Sequence, residues 1–426
     1  MKRFYRRFKK EAFTRLVSIL PEALREKIIR SKVKLDYNPP EGLRFKLAET
    51  KEELEQAFRL LYRSYVAAGS MKPNTSEMRI TPYHALPSTS VLIAVLDGKV
   101  IATISVFRMG PFGIPASKVF NVKSLLESGV RFAEISSLTL DEEYRNDNRE
   151  IIFGILKYLY EYTTKYFGIE MKLIVIKPFR RYFYESLLLF KSLENKVVKN
   201  YSFSNGATVI AEFLDLKSQK ARYKEIYSSY PDEKNLYKYF CEKEIANFEF
   251  PERPFNMISD PVMTPELMSY FFCEKTTIIR DMTDGERKIL QSLYPENKYK
   301  FVLNNKNKNK NEAAEEFRPE VRVETNCLSR IVLLDSSTSI SPLGVDMQIR
   351  NISYQGLMGF TDAPLALNQR FRATIEIGKR QLSELEITVC WQSGFGHYGF
   401  RINKSDEAWN QLVTYSISTL LKDHSA

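Results

Sequence analysis

The sequence is poor in the residues that hold metals and disulfides. Its four cysteines lie far apart and form no Cys-x-x-Cys pair: Cys241, Cys273, Cys327 and Cys390. This spacing argues against a zinc ribbon and a disulfide scaffold, and it is typical of a protein that stays in a reducing cytoplasm. Of three histidines, His84 alone lies in the first 300 residues, so a Ser-His-Asp triad or a histidine-metal centre is poorly supported there. We expect no metal.

Long apolar runs are also missing. The most hydrophobic stretch, residues 91–107, is interrupted by Asp97, Gly98 and Lys99, so it predicts a hairpin of two strands and not a membrane span. The N-terminus has no continuous apolar segment followed by a small-residue cleavage site, and we expect no secretory signal. These features predict a cytoplasmic protein.

Positive charge is concentrated at the start of the chain. The net charge is +11, and residues 1–30 hold ten Lys or Arg against three Glu. Apolar side chains recur at helical spacing in the same segment: Phe13, Leu16, Val17, Leu20, Leu24 and Ile28. A basic amphipathic helix of this kind is typical either of a segment on an anionic inner-membrane surface or, more often, of a helix that packs on its own domain. No DNA- or RNA-recognition motif accompanies this positive charge, so we expect no nucleic-acid partner.

The middle of the chain alternates between helical and strand patterns. A helix is predicted around residues 52–67, and the hairpin is followed by a strand over Phe132–Leu140. A helix after Asn148, a buried strand over Met171–Ile176 and another helix to Phe190 come next. Strands that alternate with helices in this way predict an α/β layer structure. Residues 215–300 are predicted to be mostly helical.

A polar repeat divides the chain. Residues 304–311 read NNKNKNKN, which cannot form a core and predicts a flexible linker. Beyond it, short alternating segments over Gln348–Ile352, Phe371–Ile377 and Leu385–Trp391 predict an antiparallel barrel, and a closing helix is expected near 406–421.

Five polar or small residues after the linker form a spaced motif: Arg318, Arg322, Asn351, Ser353 and Gly356. A guanidinium group is planar, permanently charged and able to donate paired hydrogen bonds, which suits the phosphates and guanine edges of a cyclic dinucleotide. The motif resembles the RxxxR and [DN]xSxxG signature of PilZ domains, over roughly residues 315–424. The resemblance implies a PilZ barrel that binds cyclic di-GMP through these five residues as a regulatory ligand.

Three segments of the first 300 residues carry a second resemblance. They are Arg63-Ser-Tyr65, Ala133-Glu-Ile-Ser-Ser-Leu138, and Pro178-Phe-Arg180 followed by Phe183-Tyr184. They resemble the N-acyl amino acid synthases of the FeeM type, relatives of the acyl-homoserine-lactone synthases within the GNAT-like fold. The resemblance implies transfer of a fatty acyl chain from the thioester of acyl carrier protein to an amino group, without a cofactor.

The same resemblance implies roles for individual residues. Glu134 and Ser136 are the catalytic candidates, and a carboxylate inside an apolar strand is suited to accept the proton of the attacking amine. Backbone N–H groups at a strand bulge would polarise the thioester carbonyl. The substrate-binding candidates are Arg63, Tyr65, Arg108 and Tyr184.

A carrier-protein donor is favoured over coenzyme A because residues 143–149 contain no glycine for a pyrophosphate loop. Four arginines are placed to meet an acidic carrier: Arg145, Arg149, Arg180 and Arg181.

Two alternatives stay open. Glu134 could be a structural carboxylate that holds Arg63 or Arg108 in the core, and the whole chain could be a non-catalytic cyclic di-GMP adaptor with a degenerate acyltransferase fold. We predict an α+β multidomain chain, divided into residues 1–42 (basic helical segment), 43–300 (GNAT-like synthase domain with a helical extension), 301–316 (linker) and 317–426 (PilZ barrel).

Overall fold

The structure, a computed structural model, describes most of the chain. The described residues are 19–109, 112–128, 130–144, 149–251, 263–294, 299, 302–303, 323–334, 344–378, 381–392 and 396–423. Several predictions concern residues outside these ranges, namely the helix over residues 1–18, the run 304–311, Arg145, Arg318 and Arg322. The structure does not test the predictions for these residues.

The first part of the chain folds into an eight-stranded mixed sheet. Its strands are β1 (Leu43–Leu47), β2 (Thr89–Leu96), β3 (Lys99–Arg108), β4 (Phe132–Leu140), β5 (Met171–Ile176), β6 (Lys191–Ser192), β7 (Val198–Tyr201) and β8 (Ala207–Asp215). They lie in the order β1-β2-β3-β4-β5-β8-β6, with β7 paired to β8. The pair β4–β5 is parallel, and the other described neighbours are antiparallel.

Helices cover both faces of this sheet. They are α1 (Glu22–Ser31), α2 (Lys51–Ala67), α3 (Lys123–Glu127), α4 (Arg149–Glu161), α5 (Arg181–Leu188), α6 (Leu216–Tyr227), α7 (Pro265–Ser269), α8 (Ile278–Asp281) and α9 (Asp284–Leu293). One apolar core lies between the sheet and α4 and α6, and a second lies between the sheet, α2 and the helices after residue 263. This three-layer arrangement confirms the predicted α/β domain with a helical extension.

Local sequence signals explain the main boundaries. Helix α2 begins with a capping box in which Thr50 and Glu53 satisfy each other's backbone N–H groups, which stabilises a helix N-terminus by about 1 kcal/mol. The β2–β3 hairpin turns at Asp97 and Gly98, whose φ angles of 49° and 78° suit a two-residue turn that joins twisted strands. Both features agree with the predicted helix and hairpin.

The described part of the basic N-terminal segment packs on its own domain. The Nε atom of Arg30 donates to the carbonyl oxygen of Ser186 in α5 at 2.9 Å, and the Arg25 guanidinium lies 4.4 Å from the centre of the Tyr182 ring. Ile29 adds an apolar contact to the core. Within the described ranges, no helix is long and apolar enough to cross a membrane. A contact of residues 1–30 with a membrane surface stays a prediction.

The last part of the chain forms a closed antiparallel barrel. Its six strands are β9 (Val323–Leu333), β10 (Val345–Ile352), β11 (Gly356–Phe360), β12 (Arg370–Gly378), β13 (Gln381–Gln392) and β14 (His397–Lys404), and helix α10 (Glu407–Asp423) follows. The strands close in the order β10-β11-β14-β13-β12-β9. Trp409, Leu412 and Val413 of α10 are buried in the barrel core. The predicted α+β architecture, an α/β domain followed by an antiparallel barrel, is confirmed.

A buried ion cluster joins the barrel to the sheet. The Nη2 atom of Arg108, the last residue of β3, donates to both carboxylate oxygens of Glu376 in β12, at 2.8 and 2.9 Å. Arg131, just before β4, contacts the same carboxylate at 3.1 Å. The side chains of Arg108 and Glu376 are 3% and 9% exposed. The barrel therefore supplies the counter-charge of Arg108 and shares that of Arg131 with Glu170, which lies 3.3 Å from Arg131.

The cluster makes a stability prediction. We expect Glu376→Gln to lower the free energy of unfolding by roughly 3 kcal/mol, because Arg108 would stay buried without its counter-charge. Both tryptophans, Trp391 and Trp409, lie in the barrel, so urea titration followed by tryptophan fluorescence reports the barrel directly. Glu384→Gln, on an exposed residue of β13, is the matched control. Equal urea midpoints for the two variants would contradict a stabilising role of the cluster.

Candidate active site

The site is built where two parallel strands separate. Strand β4 pairs with β5 over three positions, Phe132–Glu134 against Met171–Leu173. Beyond Glu134, β4 stays paired with β3 as far as Leu140, while β5 stays paired with β8. The backbones of β4 and β5 therefore diverge, and a gap opens inside the sheet at the residue after Glu134.

A β-bulge in β4 lies at this gap. In the β3–β4 pairing, Thr103 faces Thr139 and Ser105 faces Ser136, so β4 holds one extra residue. Ser137 within the bulge has a φ of 62°, in the left-handed region that non-glycine residues rarely occupy. A bulge leaves backbone groups outside the ladder, as expected for the predicted carbonyl-polarising position.

The gap continues into a cavity of about 830 Å³. At its mouth are residues with exposed side chains: Ala67, Ala68, Glu142, Phe179 and Arg180. Its inner walls are largely apolar and include Ile135, Leu156, Leu159, Ile174, Leu188 and Leu214. The volume lies within the range of small-molecule and cofactor sites, and the apolar walls suit an aliphatic chain.

Glu134 lies on the wall of this cavity and is 1% exposed. One carboxylate oxygen accepts a hydrogen bond of 2.7 Å from the backbone N–H of Ala116. Burial raises the pKa of this carboxyl to about 8, against the lowering effect of the Ala116 bond. Among the described residues no arginine is paired with it, since Arg63 contacts Asp141 and Arg108 contacts Glu376. The alternative of a structural carboxylate that holds either arginine is therefore wrong.

Buried polar atoms without partners lie near Glu134 and next to Tyr201. The hydroxyl groups of Tyr83 and Tyr201 are buried, and so is the Nε atom of Arg79; none of the three has a hydrogen-bond partner among the described residues. The charge on Glu134 contributes to a raised pKa for both tyrosines, after the effect of burial. Buried polar groups normally find partners, so this side of Glu134 is suited to a polar ligand.

The predicted substrate-binding residues fall into two groups. Tyr65 and Tyr184 line the cavity, and the Tyr65 ring stacks under the Arg79 guanidinium at 4.0 Å. Ser136, the second catalytic candidate, also lines it. Arg63 and Arg108 do not line it: Arg63 is 62% exposed beside Asp141, and Arg108 lies in the ion cluster with the barrel.

The arginines that were predicted to contact the carrier do not form one described cluster. Arg180 is exposed at the cavity mouth next to the exposed ring of Phe179. Arg181 is turned inward toward Glu185 and Glu212, at 3.5 and 3.8 Å. Arg149 begins α4. A role in carrier binding stays a prediction for all four arginines.

His84 is a core residue. It is 2% exposed, its Nδ1 atom lies 3.1 Å from the backbone nitrogen of Thr81, and its Nε2 atom lies 3.3 Å from the hydroxyl oxygen of Ser105. Burial lowers its pKa to about 3, so the ring is neutral at physiological pH. No group of residues in the described ranges could hold a metal ion.

The described part of the barrel motif shapes a turn. The Ser353 hydroxyl donates to the carbonyl oxygen of Gly356 at 3.0 Å and accepts from its N–H at 3.1 Å, and Ser353 is fully buried. Asn351 is half-buried and follows an irregularity in the pairing of β10. These contacts give Ser353 and Gly356 a part in closing the hairpin. Their contact with a ligand stays a prediction.

Sequence comparison identifies part of this domain. Residues 56–212 match the family model described as N-acyl amino acid synthase FeeM. The matched region is less than half of the chain, but it contains β2 to β5, Glu134 and the bulge. It supports an acyltransferase domain of this type in the first part of the chain. No curated protein matches the sequence.

Solved structures with a similar fold include the N-acyl amino acid synthase FeeM from uncultured soil microbes. It is 19% identical, and the alignment covers 42% of this chain and 94% of that one, with a TM-score of 0.37. A CoA-dependent acyl-homoserine lactone synthase, BjaI, is 14% identical over 50% and 95% of the chains, with a TM-score of 0.35. The acyl-homoserine lactone synthase LasI is 15% identical over 41% and 89%, with a TM-score of 0.31.

Sequence reasoning missed several residues of the site. Lys172 and Gln219 line the cavity, and Tyr83 and Tyr201 lie near Glu134. Lys172 could have been found, because it is a single lysine inside the apolar strand MKLIVI. Glu134 was predicted from the same kind of pattern, a charged residue inside an apolar strand. The tyrosines gave no signal because aromatic residues are frequent throughout this chain.

Proposed function

We propose that this chain is an N-acyltransferase that moves a fatty acyl chain from the thioester of acyl carrier protein to an amino group. The observation that carries the proposal is Glu134, a buried carboxyl with a raised pKa beside the gap between β4 and β5. A base poised near neutral pH and next to a deep apolar cavity is suited to aminolysis of a thioester.

The cavity walls and the polar groups suggest where the two substrates lie. The acyl chain lies along the apolar walls, with its thioester carbonyl at the bulge of β4, where backbone N–H groups stabilise the developing negative charge on oxygen. The amine lies on the side of Tyr201 and Tyr83, within reach of Glu134. Glu134 takes the amine proton as the N–C bond forms, the C–S bond breaks, and the proton passes to the departing thiolate.

The donor enters from the mouth. Arg180 is the exposed cation there, next to the exposed aromatic ring of Phe179. Acyl carrier proteins are acidic, and charge complementarity raises the association rate and orients the partner. We therefore assign the carrier-binding surface to this rim.

The proposal predicts a pH dependence. Glu134 accepts a proton only as a carboxylate, and its pKa is raised to about 8, so kcat/KM should rise with pH and level off above that value. Glu134→Gln should reduce turnover by about a hundredfold or more and remove this inflection. Assays with acyl-carrier thioester from about pH 6 to pH 10 cover the pH range in which Glu134 and the amine titrate. They would measure the pH dependence of kcat/KM and the loss of turnover in the variant.

The variant supplies its own control. Glutamine keeps a side-chain oxygen for the Ala116 N–H and adds no buried charge, so the protein should fold normally, and any slope that remains reports the titration of the amine. Wild-type activity that does not change across pH 8, or a Glu134→Gln variant of full activity, would contradict the role of Glu134 as the base.

We further propose that the barrel binds cyclic di-GMP through Arg318, Arg322 and Asn351, with the Ser353–Gly356 turn setting the hairpin. The closed six-stranded barrel with its C-terminal helix supports this proposal, together with the order and spacing of the motif. Guanidinium groups are suited to phosphates and guanine edges.

Calorimetry tests the barrel separately from catalysis. The intact protein should bind cyclic di-GMP with a dissociation constant on the order of micromolar or tighter, and the double variant Arg318→Ala, Arg322→Ala should lose this binding. Arg370→Ala, on a half-exposed arginine of β12, is the matched control, and linear GMP is the ligand control. Equal binding by all three proteins, or none by the wild type, would rule out the assigned site.

A further inference from the structure

We propose that the inner end of the cavity recognises a carboxylate at the far end of the acyl chain, through Lys172 and Gln219. This inference rests on the proposed function, because it assigns the apolar part of the cavity to an acyl chain. It adds a preference for acyl chains with a free carboxylate at the far end over simple fatty acyl chains of equal length.

Lys172 is placed unusually for a lysine. It lies in β5, is 4% exposed and lines the cavity. Its strand neighbours are apolar, and its register partners are Ala133 in β4 and Leu214 in β8. Lysine is almost never fully buried unless it is paired, so this position requires an explanation.

The ammonium group of Lys172 has no counter-charge among the described residues. Among the described residues, no carboxylate lies within ion-pair distance of the Lys172 Nζ atom. The centre of the Tyr160 ring is 5.4 Å from this atom. Burial alone lowers the pKa of Lys172, to about 7. An uncompensated buried charge is strongly unfavourable, and a bound anion would compensate it.

Gln219 supplies a second unsatisfied group at the same end. It lies in α6, is 2% exposed and also lines the cavity. Its Oε1 atom is buried and has no hydrogen-bond partner among the described residues. A primary amide presents two donors and an acceptor; a carboxylate only accepts, so it would be bound by the Nε2 donors after the amide turns.

The position of these two residues decides what they bind. The residues around them, Leu214, Tyr223 and Phe240, are buried, whereas the mouth is marked by the exposed Phe179 and Arg180. The bulge and Glu134 define where the thioester reacts. Lys172 pairs with Ala133, the residue before Glu134, and successive side chains of a strand point to opposite faces of the sheet. Lys172 therefore lies on the face opposite Glu134, and a group that reaches it along the apolar walls is the distal end of the chain and not the carrier or the amine.

The charge decides between a carboxylate and a neutral polar group. A distal hydroxyl would satisfy the hydrogen-bonding atoms of Lys172 and Gln219 but would leave the ammonium without a counter-charge. A carboxylate accepts hydrogen bonds from the Lys172 ammonium and from the Gln219 Nε2 group, and it also supplies the counter-charge. Charge-assisted hydrogen bonds of this kind are about twice as strong as neutral ones.

The test uses probes that carry a distal carboxylate and an uncharged ester in place of the thioester. Calorimetry on the full chain compares the monomethyl esters of dodecanedioic and hexadecanedioic acid with methyl dodecanoate and methyl hexadecanoate. We expect the half-esters to bind about tenfold more tightly or better. Lys172→Met, which keeps an unbranched side chain and removes the charge, should remove this difference and leave binding of the simple esters unchanged or stronger.

Lys224→Met, an exposed position of α6, is the matched control and should keep the preference. Thermal unfolding of Lys172→Met checks that the variant folds, which we expect because it removes an uncompensated buried charge. If the wild type binds both ester classes equally, or if Lys172→Met keeps the preference, the inference is overturned while the cavity remains an acyl site. If no ester binds, the acyl assignment of the cavity fails together with the inference.

Discussion

The divergence of β4 from β5 is the constraint on which the rest of the site depends. A parallel pair that ended elsewhere would leave Glu134 sealed in a continuous sheet. Because pairing stops at Glu134 and Leu173, the carboxyl borders open space while its backbone stays fixed by β3. The same divergence lets apolar side chains from both strands line a cavity within the domain. The proposed proton acceptor, the bulge proposed to bind the carbonyl and the walls proposed to hold the acyl chain thus all depend on one backbone feature.

The barrel is connected to this feature through charge. Glu376 pairs with Arg108 and Arg131, which lie at the end of β3 and just before β4, and Glu170 also pairs with Arg131. Arg108 faces Ala133 in the sheet register, directly before Glu134. Allosteric coupling requires an element that both sites bias, and this ion cluster is a direct contact between the barrel and the strands next to Glu134.

The sequence predicted the parts of the fold that depend on local patterns. The helical period around Ile152 and Ile155, the hairpin turn at Asp97 and Gly98, and the acidic residue inside the β4 strand were all readable. The left-handed backbone at Ser137 and the ion pair between Arg108 and Glu376, 268 residues apart, were not. Both arise from tertiary contacts that no local pattern encodes, and such contacts routinely override propensity.

The most direct test of the account is product identification. The purified full-length protein is incubated with palmitoyl-acyl carrier protein and a mixture of free amino acids, and the products are separated and identified by mass spectrometry. The account predicts N-palmitoyl amino acids that form with the wild type and are absent with Glu134→Gln, together with release of the carrier thiol in equal amount. Carrier thiol released only with free palmitic acid, or no turnover with any acceptor, would contradict an N-acyltransferase.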